Sequence, residues 1–234
     1  LIFLKIIFNP VVKLQQKLVL MTFNKKNYEE ISSFIKNNAQ KTVKIVAVSK
    51  NHPLSSIMDA LNCGIRVFGE NRVQEAIGKF QDLKNSHPDT ELHLTGLLQT
   101  NKVKASLDIF DVFQTLDREK LVREFLKYQN IIKRKKFFVQ INIGKEKNKS
   151  GIMPEEGLEF VNYCINDCGI PVIGLMCIPP QHENPEPFFA LLKKIAQQAG
   201  IDNLSMGMSE DYKIGIMGGA THIRVGTYLF GKRN

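Results

Sequence analysis

The chain has 234 residues, room for one large α/β domain or two small ones, and its 43% hydrophobic and 24% charged residues are ordinary for a soluble globular protein. The formal net charge of +9 allows phosphate or acidic partners but says nothing about fold. The four cysteines, Cys63, Cys164, Cys168 and Cys177, form no C-x-x-C pair and have no histidine pattern beside them, so a zinc site is excluded and small buried thiols in a reducing cytosol are expected.

Residues 1–20 are apolar but broken by Lys5, Lys13 and Lys17, with Asn9-Pro10 inside, which makes a poor membrane span. They show no secretory cleavage site, and they lack the Arg and Ser of an organelle presequence. The expectation is an extension outside the folded domain, from translation upstream of Met21, with residues 21–234 as the domain. Asn27 to Gln40 carries Tyr28, Ile31, Phe34 and Ile35 at helical spacing. Val43 to Val48 is a β-branched apolar run suited to a strand buried on both faces, and it ends on Ser49-Lys50-Asn51-His52-Pro53. A helix follows from Pro53 to Cys63, stopped by Gly64. Arg66 to Phe68 is a short strand and Arg72 to Leu83 a helix. Glu91 to Leu94 is a strand, Asn101 to Leu107 a helix, Val112 to Gln114 a strand, and Asp117 to Gln129 a helix with Asp117 as its N-cap.

The second half repeats the alternation. Phe137 to Ile143 is a strand, and Gly144 to Gly151 a polar loop with three lysines. Pro154 opens a helix to Asp167; Pro171 to Leu175 is a strand and Pro185 to Gln198 a helix. Asn203 to Met206 is a strand, Ser209 to Met217 a helix and Thr221 to Val225 a last strand. Eight strands alternating with helices, without a composition shift, predict an α/β fold: a single (β/α)8 TIM-type barrel with an extra N-terminal helix. A doubly wound open sheet is the runner-up, but a dinucleotide site there needs a glycine-rich first turn, and Ser49 to Pro53 contains no glycine.

Barrel chemistry is placed at the carboxyl ends of the strands and in the loops after them. Lys50 ends strand 1, where desolvation favours the neutral, nucleophilic form of an amine. Asn71 follows strand 2; His93 lies near the end of strand 3 and Asn142 in strand 5; Lys149 lies in the loop after it; Met176 follows strand 6. Ser209 follows strand 7 and suits an N-cap, while Arg224, Gly226 and Thr227 end strand 8. Barrels bind phosphate between the last two of these loops. A reactive lysine opposite a phosphate cradle suits a ligand with an aldehyde at one end and a phosphate at the other, as in pyridoxal 5′-phosphate.

The motifs Ala47-Val48-Ser49-Lys50, Phe68-Gly69-Glu70-Asn71-x-x-Gln74-Glu75, His93-x-x-Gly96-x-Leu98-Gln99-x-Asn101-Lys102, Lys149-Ser150-Gly151, Gly174-Leu175-Met176, Leu204 to Asp211 and Arg224-Val225-Gly226-Thr227-x-x-Phe230-Gly231 occur in this order. Together they resemble the pyridoxal phosphate homeostasis protein family, over about Lys25 to Gly231. The resemblance implies a barrel like the N-terminal domain of alanine racemase, with Lys50 as the cofactor-bearing lysine. It implies that Ser209, Arg224, Gly226 and Thr227 line the phosphate and ring, with Asn71 near the cofactor, and that Lys149 serves arrival or transfer of the cofactor. It also implies a cytoplasmic monomer that stores, buffers or delivers pyridoxal phosphate, with apo forms of dependent enzymes as partners and neither nucleic acid nor membrane.

No catalytic residue is assigned, and catalytic turnover is not expected. The chain as read ends three residues after Gly231, without the second domain that supplies a racemase with its other acid/base. A weak racemase-like enzyme using the same lysine is the alternative. A nucleic-acid-binding module using the run Lys133-Arg134-Lys135-Lys136 is a further rival, though stacking aromatics are missing from that run.

Overall fold

The computed structural model describes residues 23–231, so the expected extension at residues 1–20 lies outside the described residues. Eight parallel strands close in sequence order: β1 (Lys44–Val48), β2 (Val67–Glu70), β3 (Glu91–Leu94), β4 (Val112–Leu116), β5 (Lys136–Ile141), β6 (Val172–Cys177), β7 (Asn203–Ser205) and β8 (His222–Val225). The last strand returns to the first, with Lys44 opposite His222 and Val46 opposite Arg224. The barrel is therefore closed, and the open doubly wound sheet is ruled out.

Every strand is followed by helix: α2 (Leu54–Asn62), α3 (Val73–Ser86), a 3-10 turn running into α4 (Val103–Ile109), α5 (Glu119–Leu126) with α6 (Gln129–Ile132), α7 (Gly157–Asn162), α8 (Glu186–Gln198), α9 (Tyr212–Gly218) and the single turn α10 (Thr227–Phe230). The extra helix, α1 (Lys25–Asn38), starts at Asn24, whose side chain accepts the Asn27 N–H at 3.0 Å. It docks on α9 and α10. Asn27 donates to Tyr228 O at 2.7 Å, and Glu30 meets Tyr228 at 2.8 Å and Lys213 at 3.0 Å.

Several boundaries differ from expectation for identifiable reasons. The helix expected over 117–129 is broken at Tyr128 into α5 and α6, and Asp117 is no cap, because its carboxylate turns to the Arg118 guanidinium at 2.5 Å. Strand β6 runs on to Cys177, so Met176 is a buried strand residue and does not follow the strand. Strand β5 stops at Ile141, which leaves Asn142 in the loop. The basic run is no continuous stripe: Lys135 is spent on Phe110 O at 2.8 Å and Lys136 reaches Glu91 at 3.2 Å.

The strand side chains alternate between two environments. Those facing outward, such as Phe113, Phe137, Leu175 and Ile223, join one large core with the helices. Within it Phe113, Phe125 and Phe137 pack with ring centroids 4.9–5.2 Å apart, in geometries worth about 0.5–1.5 kcal/mol per pair beyond area burial. The barrel interior is different. It holds a small separate apolar cluster around Val112, Phe138 and Met176, with Val46 also buried, and a set of buried polar side chains: His93, Gln114, Ser205, His222 and Arg224.

Candidate functional site

At the carboxyl rim a cavity of about 740 Å³ is lined by Lys50, Asn71, Lys149, Ser209, Arg224, Gly226 and Thr227, together with Val48, Thr95, Asp211 and the 178–185 segment after β6. Every residue named above for ligand binding thus meets in one place. His93 and Asn142 do not line it, and Met176 is packed inside the barrel.

Lys50 sits in a turn that the rest of the fold holds firmly. Ser49 is buried; its N–H donates to Gly69 O at 2.9 Å and its hydroxyl to Glu70 Oε1 at 2.7 Å. Lys79, from α3, donates to Ser49 O at 2.9 Å, Glu70 at 2.9 Å and Glu75 at 2.7 Å. Asn51, on the other side of Lys50, adopts a left-handed φ of 62° and gives its N–H to Glu75 at 2.5 Å. The amine is thereby carried on a turn pinned on both sides. Burial pushes the Glu70 carboxyl up, against the pull of Ser49 and Lys79, whereas Glu75 is held low by Lys79 and the Asn51 N–H despite its own burial.

Asn71 is fixed from β3. Thr95 donates to its Oδ1 at 2.9 Å, which leaves the amide NH2 as the donor end. Gly96 allows this approach, since a Cβ there would lie 2.5 Å from Asn71 O. Lys149 is half-exposed and paired with Glu146 at 2.5 Å. Asn142 is the organiser of that loop: its amide donates to Glu146 O at 2.9 Å and Lys149 O at 3.2 Å, and accepts the Glu146 N–H at 3.1 Å. Its role is in loop geometry, away from the reacting groups.

Ser209 is not the N-cap of α9, because that helix begins at Tyr212, and Asp211 folds back to accept the Met208 N–H at 2.5 Å. The Ser209 hydroxyl instead reaches across to the β8 loop, 3.3 Å from the N–H groups of both Gly226 and Tyr228. It joins the two loops and faces the start of α10. Gly226 is required by a close approach: a Cβ would stand 3.2 Å from Val48 O, on β1. Arg224 is buried and donates to Ser205 Oγ at 2.7 Å and Cys177 O at 2.8 Å; burial pulls its pKa below the ordinary guanidinium range. Thr95, Lys79 and the 178–185 segment were not foreseen. Thr95 next to Gly96, at a strand end, was the available signal.

The family described as "Alanine racemase, N-terminal domain" matches residues 24–234. The "Pyridoxal phosphate homeostasis protein" of Aquifex aeolicus is 39% identical over 202 residues, 81% of this chain and 87% of that protein. This chain belongs to the pyridoxal phosphate homeostasis protein family. The family member of Haemophilus influenzae is 38% identical, over 85% of this chain and 88% of its own. Another homologue, PipY of Synechococcus elongatus, solved with pyridoxal phosphate bound, superposes with a TM-score of 0.76 at 33% identity, over 88% of this chain and 99% of that one. Alanine racemase from Acinetobacter baumannii shares the fold at 16% identity and a TM-score of 0.67, over 88% of this chain and 61% of that one.

Proposed function

We propose that this protein binds pyridoxal 5′-phosphate, holds it as a Schiff base on Lys50, and takes part in intracellular homeostasis of the cofactor by storing, buffering or delivering it without catalytic turnover. The observation that carries this reading is the convergence of an amine (Lys50), a guanidinium (Arg224), two hydroxyls (Ser209 and Thr227) and the bare Gly226 peptide on one cavity. That donor set fits the cofactor, and about 740 Å³ falls in the range of small-molecule sites. When bound, pyridoxal phosphate supplies an aldehyde that reacts reversibly with an amine. Lys50 would supply the amine for that reaction, with the aldehyde oxygen lost as water. Ser209, Thr227 and the Gly226 N–H would hold the phosphate, Arg224 would face the ring, and Asn71 would offer its amide donors beside it. Lys149, on its pinned loop at the cavity edge, serves arrival and transfer.

The absence of turnover rests on Arg224. A guanidinium does not give up its proton to a ring nitrogen, so it leaves the ring a weak electron sink. The partners are apo forms of enzymes that need the cofactor, the protein acts as a monomer, and its four free thiols suit a reducing cytoplasm. Among the described residues no helix is long and apolar enough to cross a membrane. The test is borohydride trapping and visible absorbance with added pyridoxal phosphate. Wild type forms a trapped adduct and Lys50→Ala does not; an unchanged adduct in the variant overturns the assignment. Incubation with single-enantiomer amino acids, followed by chiral analysis, checks the second half, and clear racemisation would make the protein an enzyme.

A further inference from the structure

A buried arginine needs an account of what balances it, because an isolated charge in a protein interior is costly. Its guanidinium donates to two neutral oxygens, Ser205 Oγ and Cys177 O. The path does not stop at Ser205. The Ser205 hydroxyl donates to Gln114 Oε1 at 2.6 Å, Gln114 Nε2 meets His93 Nδ1 at 2.7 Å, and His93 Nε2 meets Glu91 Oε1 at 2.9 Å. Each of Ser205, Gln114 and His93 is fully buried, and the path runs from the cavity through the barrel interior to the opposite end.

With His93 neutral, one direction for every bond in this path satisfies all its groups. An amide nitrogen can only donate, so His93 Nδ1 accepts and its proton sits on Nε2, which donates to Glu91. Turning the Gln114 amide over would place a proton on Nδ1 and aim the bare Nε2 at the Glu91 carboxylate, a repulsive contact. The donors therefore all point one way, from a cation at Arg224 to an anion at Glu91. Burial holds His93 below its ordinary pKa and Glu91 is held low, chiefly by His93, which agrees with a neutral ring between the two charges. Hydrogen bonds aligned in series polarise one another.

We propose that Glu91, His93, Gln114 and Ser205 form a positioning relay through the barrel that fixes the orientation and the charge Arg224 presents to the cavity. The relay rests on the reading of Arg224 as the residue facing the cofactor ring. Its members outside Arg224 do not touch the cofactor; they act through the arginine.

The experiment uses arginine-labelled full chain. The nitrogen resonances of Arg224, assigned by their loss in Arg224→Lys, are recorded first without cofactor. Then the dissociation constant for pyridoxal phosphate is measured. Ser205→Ala shifts the Arg224 resonances and weakens cofactor binding about tenfold, the size expected for a lost hydrogen bond to a charged group, and Ser205→Thr restores both. Glu91→Gln keeps an acceptor for His93 but removes the distant charge; it shifts the same resonances and weakens binding about threefold. A purely structural role for these residues would lower the melting temperature and leave the Arg224 resonances unmoved. Resonances and affinity as in wild type for Glu91→Gln overturn the relay, and this variant decides alone should Ser205→Ala not fold. If wild type itself fails to bind pyridoxal phosphate, the functional reading falls, and the resonances without cofactor still decide the relay.

Discussion

At the amino end of the barrel Lys44 meets Glu91 at 2.8 Å, Lys136 meets the same carboxylate at 3.2 Å, and His93 adds a third contact at 2.9 Å. At the carboxyl end Lys50, Lys149 and Arg224 gather around a cavity. Strand β1 carries a lysine toward each end, so residue type does not separate the two regions. At the amino end one carboxylate collects cations into a closed ion-pair cluster, which is a structural arrangement. At the carboxyl end two carboxylates, Glu70 and Glu75, are occupied with Lys79, Ser49 and Asn51, and they hold the backbone on both sides of Lys50. Charges at one end neutralise; at the other they build a mount.

The largest test of this contrast removes in turn Lys44, which opens β1, and Lys50, in the turn after it. Lys50→Ala removes the borohydride-trapped adduct altogether, whereas Lys44→Ala retains it; mass spectrometry of the trapped protein separates the outcomes. Breaking the mount comes next. Lys79→Met leaves the buried Glu70 without its cation and is expected to cost about 3 kcal/mol, read as a lower urea midpoint. The same variant loosens the Ser49-Lys50-Asn51 turn, so its adduct forms more weakly.

The amino end has its own signature in acid. His222, buried beside His93 and Phe138, is pulled down from 6.5 to about 3, first by burial and then by neighbours that include the charges of Lys44 and Lys136. The unfolded chain takes up a proton that the folded one refuses, so stability from this site is full above pH 6.5 and declines as pH falls toward 3. The expected slope is about 1.4 kcal/mol per pH unit, and His222→Phe flattens it in denaturant titrations across that window. The smallest effect belongs to the half-exposed Lys44–Glu91 pair: Lys44→Ala changes stability by less than about 1 kcal/mol.

Strand number, order and the position of Lys50 were legible because apolar β-branched runs alternate regularly with amphipathic helices. Lys50, Asn71, Lys149, Ser209, Arg224, Gly226 and Thr227 at the cavity were legible because the barrel places chemistry at strand ends and because the motifs are specific, whereas Thr95 and the 178–185 segment were not. The internal polar path was not. Gln114 closes one expected strand and Ser205 lies inside another, and a strand buried on both faces does not reveal which side is the barrel interior. The available signal was that a polar residue inside a doubly buried strand needs a partner. Asn142 was expected in a strand that stops one residue earlier, and Ser209 was placed in the right loop with the wrong local role, because capping depends on where a helix starts, and Asp211 moved that start by accepting the Met208 N–H. Two cysteines followed expectation: Cys164 and Cys177 are buried with thiols pushed up to about 12, while Cys63 and Cys168 are half-buried.

The seam between β1 and β8 has a consequence for how the protein is made. Lys50 directly follows β1, the first of the eight strands to leave the ribosome, and Arg224 belongs to β8, the last; the two strands become neighbours only when Lys44 to Ala47 pair with His222 to Val225. Helix α1, synthesised before either, docks on α9 and α10 and so waits for the same event. A nascent chain therefore carries its amine for most of translation without the arginine or the β8 loop beside it, and the site is assembled in one step when the seam closes.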